Sequence, residues 1–334
     1  MFIVENYTLA VIFCIITMLC WGSWGNTQKL AGKSWRYELF YWDYVIGILL
    51  FSLISAFTLG SFGNQGRSFI PDLLQADAAN IGSAFLGGIV FNAANILLAA
   101  AISIAGLSVA FPVGIGLALV LGVIVNYIGS AKGNPQWLFA GVILITIAII
   151  LNAIAYSKQS KTGKKVSSKG IIISLVAGLL MSFFYRFVAA SMDMDNFVSP
   201  ADGKMTPYTA MFIFALGIFA SNFIFNTLVM RYPFTGAPVS YKEYFKGRLN
   251  IHLVGVLGGL IWGLGNAFNL IAAGKAGAAV SYGLGQGATL VSALWGVFIW
   301  KEFKNAPKST GSYLTLMFIL FIAGIALIIM AGSN

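Results

Sequence analysis

Residues 78–131 run for 54 positions without one charged side chain. A soluble fold cannot bury so long an uncharged stretch and still present charge to water. In lipid the same stretch is natural. At about 20 residues per crossing it makes two membrane helices, with a tight turn that the sequence puts near Gly106. The rest of the chain agrees. Of its 334 residues 59% are hydrophobic and 9% charged, against about 25% charged in a soluble domain. Further uncharged runs cover 6–28, 44–66, 133–157, 170–185 (continuing a few residues past Arg186), 205–230, 249–274, 276–300 and 309–334. The reading is an all-α integral membrane protein of ten transmembrane helices, with connections too short to hold a soluble domain. The opening Met1-Phe2-Ile3-Val4-Glu5 lacks the basic region of a cleaved signal peptide, so the first run is expected to stay as a spanning helix.

The net charge of +10 belongs to the loops. Lys29, Lys33, Arg36, Lys158, Lys161, Lys164, Lys165, Lys169, Arg231, Lys242, Lys246, Arg248, Lys301, Lys304 and Lys308 follow the odd-numbered helices. Only Arg67, Lys132, Lys204 and Lys275 follow the even ones. Basic loops stay in the cytoplasm, so both termini are expected outside, in a multi-pass protein of the inner or plasma membrane. No basic patch falls on a soluble segment, which argues against nucleic acid as a partner. The basic linker 158–169 separates residues 1–157 from 170–334, five helices from five. It lacks the GxxxxGK[ST] spacing of a phosphate-binding loop. Cys14 and Cys20 lie six residues apart on one helix and point to different sides, so no disulfide is expected. His252 is the only histidine and has no visible metal partner, nor a plausible Ser or Asp partner in sequence. No enzyme constellation and no cofactor motif is present.

A shift of 171 residues aligns 87–128 with 258–299 without gaps and matches 12 of 42 positions. The matches include Gly87/Gly258, Gly88/Gly259, Asn95/Asn266, Gly106/Gly277, Val109/Val280, Gly114/Gly285 and Gly116/Gly287. Shared apolar composition gives some matches, but not this many glycines together with an asparagine. The chain reads as a duplicated five-helix unit. Because five is odd, the copies have opposite orientation, the arrangement of many secondary transporters.

The opening MFIVENYTLAVIFCIITMLCWGSWGN, the stretch FYWDYVIG from Phe40 to Gly47, GLIWGLGN from Gly259 to Asn266 and LVSALWGVFIWKEFK from Leu290 to Lys304 resemble the ureide permease family. That family belongs to the drug/metabolite transporter superfamily. The same carboxy-terminal segments are similar to the bacterial glucose/ribose porters and, more loosely, to rhamnose–proton symporters. The resemblance implies a carrier of two inverted five-helix repeats whose relatives take up neutral polar solutes, often with protons. The plant members have a longer central loop than this chain, which points to a bacterial relative.

Ionisable groups inside the hydrocarbon are functional hypotheses by default. Asp43, near the start of the second helix, is the expected proton-coupling group; the alternative is an interfacial carboxylate paired with Lys33 or Arg36. Arg186 is expected either to bind substrate or to reach the outer interface beside Asp193. Four sets of side chains at helical spacing are candidate substrate contacts: Trp21, Trp24 and Gln28; Phe91, Asn92 and Asn95; Trp262, Asn266 and Asn269; and Tyr282, Gln286 and Thr289. Aromatic planes stack on a ring while amides bond its edges. The competing role is helix–helix contact for the asparagines and interfacial anchoring for tryptophans, as expected for Trp137 and Trp300. The partners implied are a small solute, a proton or sodium ion, and the bilayer. The expected function is proton-coupled uptake of a neutral polar solute, first a monosaccharide. The alternatives are a ureide, nucleobase or nucleoside permease, and an exporter of drugs or metabolites. An exporter of lipophilic cations would want an acid deep in the first helix, and none follows Glu5 there.

Overall fold

The computed structural model describes residues 1–32, 35–105, 107–159 and 167–333. The chain forms α1 (Tyr7–Ser23), α2 (Gly25–Ala31), α3 (Tyr37–Phe57), α4 (Phe69–Gln75), α5 (Ala78–Ala105), α6 (Leu107–Gly129), α7 (Pro135–Gln159), α8 (Ser168–Ala190), α9 (Pro207–Arg231), α10 (Tyr241–Phe245), α11 (Leu249–Ala276), α12 (Ala278–Gly285), α13 (Ala288–Leu294) and α14 (Ser309–Gly332), with a π-helical turn over Trp295–Ile299. Among the described residues, nine helical spans are long and apolar enough to cross a membrane, and α6 adds a shorter apolar stretch over Val113–Gly129. Apart from an isolated bridge between Met192 and Met205, no β structure occurs among them. Gly106, Lys33 and the linker lysines Lys161, Lys164 and Lys165 lie outside the described residues.

Helix ends follow the local sequence. Asn6 caps α1 by accepting from Leu9 N–H at 2.9 Å, Pro207 opens α9 where its missing N–H costs nothing, and Gly277 ends α11 at φ 84°. Two of the predicted continuous helices are interrupted instead. The first span carries a joint at Trp24, ahead of Gly25, with φ −56° and ψ −35°, so the axis runs on. The ninth breaks between α12 and α13 at Gln286–Gly287, where Leu290 N–H returns to Gly287 only three residues back. Gly283, Gly285 and Gly287 flank that joint, and glycine has little helix preference of its own.

The faces sort by size rather than polarity. On α8, Ile172, Leu175, Val176 and Leu179 are exposed along one stripe, while Ser174, Ala177, Gly178 and Ser182 are buried on the other. Lipid is as apolar as leucine, so helices associate through close contact and hydrogen bonds, which favours small residues at the interface. Two crossings are the tightest. Where α3 meets α11, a Cβ on Gly47 would stand 2.2 Å from Val256 O and one on Gly259 2.0 Å from Tyr44 O. Where α9 meets α5, a Cβ on Gly88 would stand 2.1 Å from Phe214 O and one on Gly217 2.2 Å from Phe85 O. Gly88 and Gly259 are partners in the 171-residue shift.

The two ends of the bundle differ. At one end α1 begins where α14 finishes, with the Tyr7 hydroxyl donating to Ile329 O at 2.5 Å. The loops after α3 and α8 interlock there: Arg67 pairs with buried Asp72 at 3.2 Å and donates to Pro200 O. The other end gathers Lys29, Arg36, Arg231, Lys242, Lys246, Arg248 and Lys301. At this basic end Arg36 pairs with Glu38 and ties the segment before α3 to the carbonyls of Thr235 and Ala237.

Gly259→Ala and Gly88→Ala each place a methyl group where backbone already stands, so each is expected to destabilise the protein by about 1–3 kcal/mol. Thermal unfolding in detergent checks this, with lipid-facing Ile172→Ala expected to unfold like wild type.

Candidate functional site

A cavity of about 490 Å³ opens at the basic end and runs inward between α1, α2, α5, α7, α8, α11 and the broken α12–α13 span. That size suits a small-molecule site, for which pockets of roughly 300–1,000 Å³ are usual. Its inner wall is aromatic. Trp21 and Trp262 stack nearly parallel, 5.8 Å apart at 11°. Phe91 lies 4.5 Å from Trp262, and Tyr44 backs Trp24 at 4.5 Å from behind the wall. Beyond this layer Phe13 and Phe268 stack at 4.3 Å, and Tyr185 packs on Tyr282 at 5.5 Å.

Polar groups punctuate these walls. Asn95 donates to the Tyr41 hydroxyl at 3.2 Å, and Tyr41 donates in turn to Asn92 at 2.9 Å. Two buried polar atoms of lining residues, the Trp21 indole N–H and Asn152 Oδ1, have no hydrogen-bond partner among the described residues. A buried donor or acceptor left in this way costs free energy until something meets it. Both atoms are turned into the protein, the Trp21 nitrogen against Gly265 of α11, and the groups the cavity offers an occupant are the lining amide side chains of Gln28 and Gln286, each a donor and an acceptor.

The mouth is charged. Glu302 accepts from Lys29 at 2.7 Å and from the Tyr156 hydroxyl at 2.8 Å. Lys29 also lies over the Trp300 ring at 4.8 Å, and Trp300 N–H donates to Asn26 at 2.7 Å. Glu302 reaches this place because the chain doubles back after the π turn: Lys301 takes φ 52°, a left-handed conformation unusual for a residue with a side chain, and Glu302 N–H bonds Gly296 O at 2.9 Å. Such π turns are frequent at functional sites.

The structure brings Trp21, Trp24, Asn95, Trp262 and Gln286 to the cavity, with Gln28, Phe91 and Thr289. The other candidate contacts are held in the surrounding walls. Asn92 donates to Ser221 at 2.9 Å, Asn266 to Met211 Sδ at 2.9 Å, and Asn269 to Ser281 O at 2.9 Å. The Tyr282 hydroxyl faces Ala118 O at 3.1 Å. Arg186 lies against Gly129, where a Cβ would stand 2.3 Å from its Nε, at the end of α6 rather than in the cavity. Trp300, expected in an interfacial belt, lines the mouth, where Asn26 holds its indole. Tyr37, Asn152, Tyr156 and Glu302 are lining residues that sequence reasoning did not select. Asn152 and Tyr156 carried a signal: two polar groups at i and i+4 on one face of an otherwise apolar run.

Asp43 is buried at the junction of α3, α10 and α11, away from the cavity. Arg36 is not its partner, since Glu38 takes that guanidinium. It accepts from Tyr244 at 2.7 Å and pairs with His252 at 2.8 Å. His252 thus has an aspartate partner that the sequence separation of 209 residues concealed. Burial, and then the carboxylate it donates to, hold the Tyr244 phenol well above its ordinary pKa, so it remains a donor.

A bundle of apolar spanning helices around a deep, part-polar cavity open at one end has the form of a multi-pass membrane transporter. The family model for ureide permeases matches residues 40–169 and 158–332, and the chain belongs to the ureide permease family. Ureide permease 2 of Arabidopsis thaliana is 27% identical over 397 residues, covering 100% of this chain and 99% of that protein. Ureide permease 1 of the same plant is 25% identical over 389 residues, with the same coverage. A probable glucose uptake protein of Priestia megaterium is 28% identical over 239 residues, covering 69% of this chain and 70% of its own. A solved crystal structure shares the fold at a TM-score of 0.61 and 14% identity, covering 97% of this chain and 96% of that one. The chain is a transporter and not an enzyme.

Removing the amide while keeping the bulk, as in Gln286→Leu, deletes a hydrogen bond to an occupant. The KM for transport is expected to rise roughly 2- to 12-fold. Trp137→Phe, outside the cavity, is expected to match wild type in the same uptake assay.

Proposed function

We propose that this protein takes up a ureide, or a chemically close planar and neutral solute rich in amide groups, across the plasma membrane and down a proton gradient. The observation that carries the reading is one neutral cavity lined both by indole rings, Trp21 and Trp24, and by amide side chains, Gln28 and Gln286. A ureide built on a flat ring can lay that ring against the lining indoles of Trp21 and Trp24, Trp262 being buried between Trp21 and Phe91. Its edges carry both C=O and N–H groups, which the amides of Gln28 and Gln286 can meet. Solutes of either charge are disfavoured: Glu302 and Lys29 compensate each other at the mouth, and the inner wall has no charge to meet one.

The monosaccharide expected from the sequence gives way to a ureide in this reading. The relatives that match the chain from end to end are named as ureide permeases, whereas the probable glucose uptake proteins match about two thirds of it. The architecture we propose is ten crossings in two inverted repeats of five, with the basic end in the cytoplasm. Three features support it. Both ends of the described chain meet on one side through Tyr7 and Ile329, as an even number of crossings requires. The α3–α11 and α9–α5 glycine crossings recur in the two halves. The basic residues favour one side. In that orientation the cavity faces inward. The coupling group in this proposal is Asp43, the acid buried in a spanning helix.

Reconstituted protein with an inward proton gradient is expected to accumulate labelled allantoin, and to lose that accumulation when a protonophore is added. Accumulation of glucose or ribose in place of allantoin would return the substrate to the sugars. Accumulation that ignores the protonophore would remove the proton from the reading. Asp43→Asn is expected to abolish gradient-driven accumulation while sparing exchange of solute across the membrane; equal loss of both would make Asp43 a structural residue.

A further inference from the structure

Asp43 and His252 are packed as a unit. The Asp43 side chain is 2% exposed and that of His252 is 20% exposed. Asp43 Oδ1 faces both His252 Nδ1 and the Tyr244 hydroxyl, while Oδ2 has no hydrogen-bond partner among the described residues. A Cβ on Gly255 would stand 2.4 Å from Asp43 Cβ, so α3 and α11 close directly over the carboxylate. The imidazole is boxed by Trp35, edge-on at 5.2 Å, and Tyr244, edge-on at 4.8 Å. The titratable or charged groups around the pair are few. Tyr244 faces it from α10, Arg248 lies one turn before His252 at the start of α11, and Glu38, compensated by Arg36, lies five residues before Asp43 on α3.

The charge arithmetic of this unit is simple. With a neutral imidazole the pair carries one net negative charge in surroundings that solvate it poorly. One proton added to the ring turns it into an ion pair of no net charge, which low-dielectric surroundings tolerate far better. Uptake of that proton forms a single N–H bond on the imidazole, with water at the exposed ring edge as donor, and release reverses it.

We propose that His252 and Asp43 together form the proton site of this carrier, with His252 taking the proton from water at the basic end and Asp43 holding the charged ring. The assignment rests on the reading of the protein as a proton-driven carrier and names the atoms that bear the proton. The pair touches no solute, so its influence passes through the helices that hold it. Tyr44, next to Asp43, stacks on Trp24 at 4.5 Å and meets Trp262 edge-on at 6.5 Å, and both tryptophans line the cavity. Trp262 stands on the same helix as His252. A change in how firmly α3 and α11 are joined at the pair therefore shifts two walls of the solute site.

The chain has one histidine, so the imidazole resonances of isotope-labelled protein in nanodiscs report His252 alone. The wild-type ring is expected to titrate. Asp43→Asn is expected to move the midpoint, because the ring then loses its counter-charge. His252→Gln keeps a neutral side chain of similar reach beside Asp43. With one proton per solute, a pH difference of about one unit supports about tenfold accumulation, and His252→Gln is expected to reduce that ratio to unity while allantoin exchange continues. A midpoint unmoved by Asp43→Asn overturns the assignment, and so does undiminished accumulation by His252→Gln. The titration needs no solute: if wild-type protein moves nothing, the carrier reading fails and the midpoint still decides whether the pair holds the proton. Should Asp43→Asn fail to fold, accumulation by His252→Gln decides alone.

Discussion

Backbone contact between helices is the constraint on which the rest of this structure depends. Hydrocarbon offers no hydrogen-bond partner, so each crossing segment satisfies its own N–H and C=O groups by forming a helix. It also removes the driving force that water supplies to a soluble core, and helices must then attract each other by approaching closely. Gly47, Gly88, Gly217 and Gly259 permit that approach at the α3–α11 and α5–α9 crossings. These four helices carry Asp43, Phe91, Asn95, Trp262 and His252. Site geometry is thus a consequence of how near two backbones come.

A cavity in such a bundle needs a reason to stay open, and here aromatic bulk and helix irregularity supply it. Trp21, Trp24 and Trp262 are wide, stiff groups that brace against Tyr44, Phe91 and each other. The span formed by α12 and α13 passes them along an irregular path. It tightens at Gln286–Gly287, loosens into a π turn at Trp295–Ile299, and folds back at Lys301. The consequence is a part-polar cavity charged only at its mouth, where Lys29 and Tyr156 both bond Glu302. The opposite end is stoppered by stacked rings and by the interlock of Arg67 and Asp72 with the loop after α8.

Legibility of the site in the sequence followed a physical rule. Trp21, Trp24, Asn95, Trp262 and Gln286 could be picked because large aromatic and amide groups stand out in uncharged runs, and all five line the cavity. The same rule also selected Asn92, Asn266, Asn269 and Tyr282, whose polar groups serve neighbouring backbone and side chains in the walls. Helical spacing says which residues share a face but not what that face meets. Asn95 and Asn266 occupy matching places in the repeat, yet only Asn95 reaches the cavity. Glu302 escaped notice as a cavity residue because it follows the span and reaches the mouth only through the left-handed turn at Lys301.

By itself the sequence determined that this chain lives in a membrane, roughly where each span lies, and which loops are basic. These follow from local quantities: runs of uncharged residues long enough to cross the bilayer and charges that cannot enter it. Only the tertiary structure decided which of many polar groups face one another. Asp43 meets His252 across 209 residues, and Lys29 meets Glu302 across 273. Such pairings depend on the rotation and depth of helices remote in sequence. Those are set by side-chain volume at each crossing, a property of two surfaces together that neither segment carries alone.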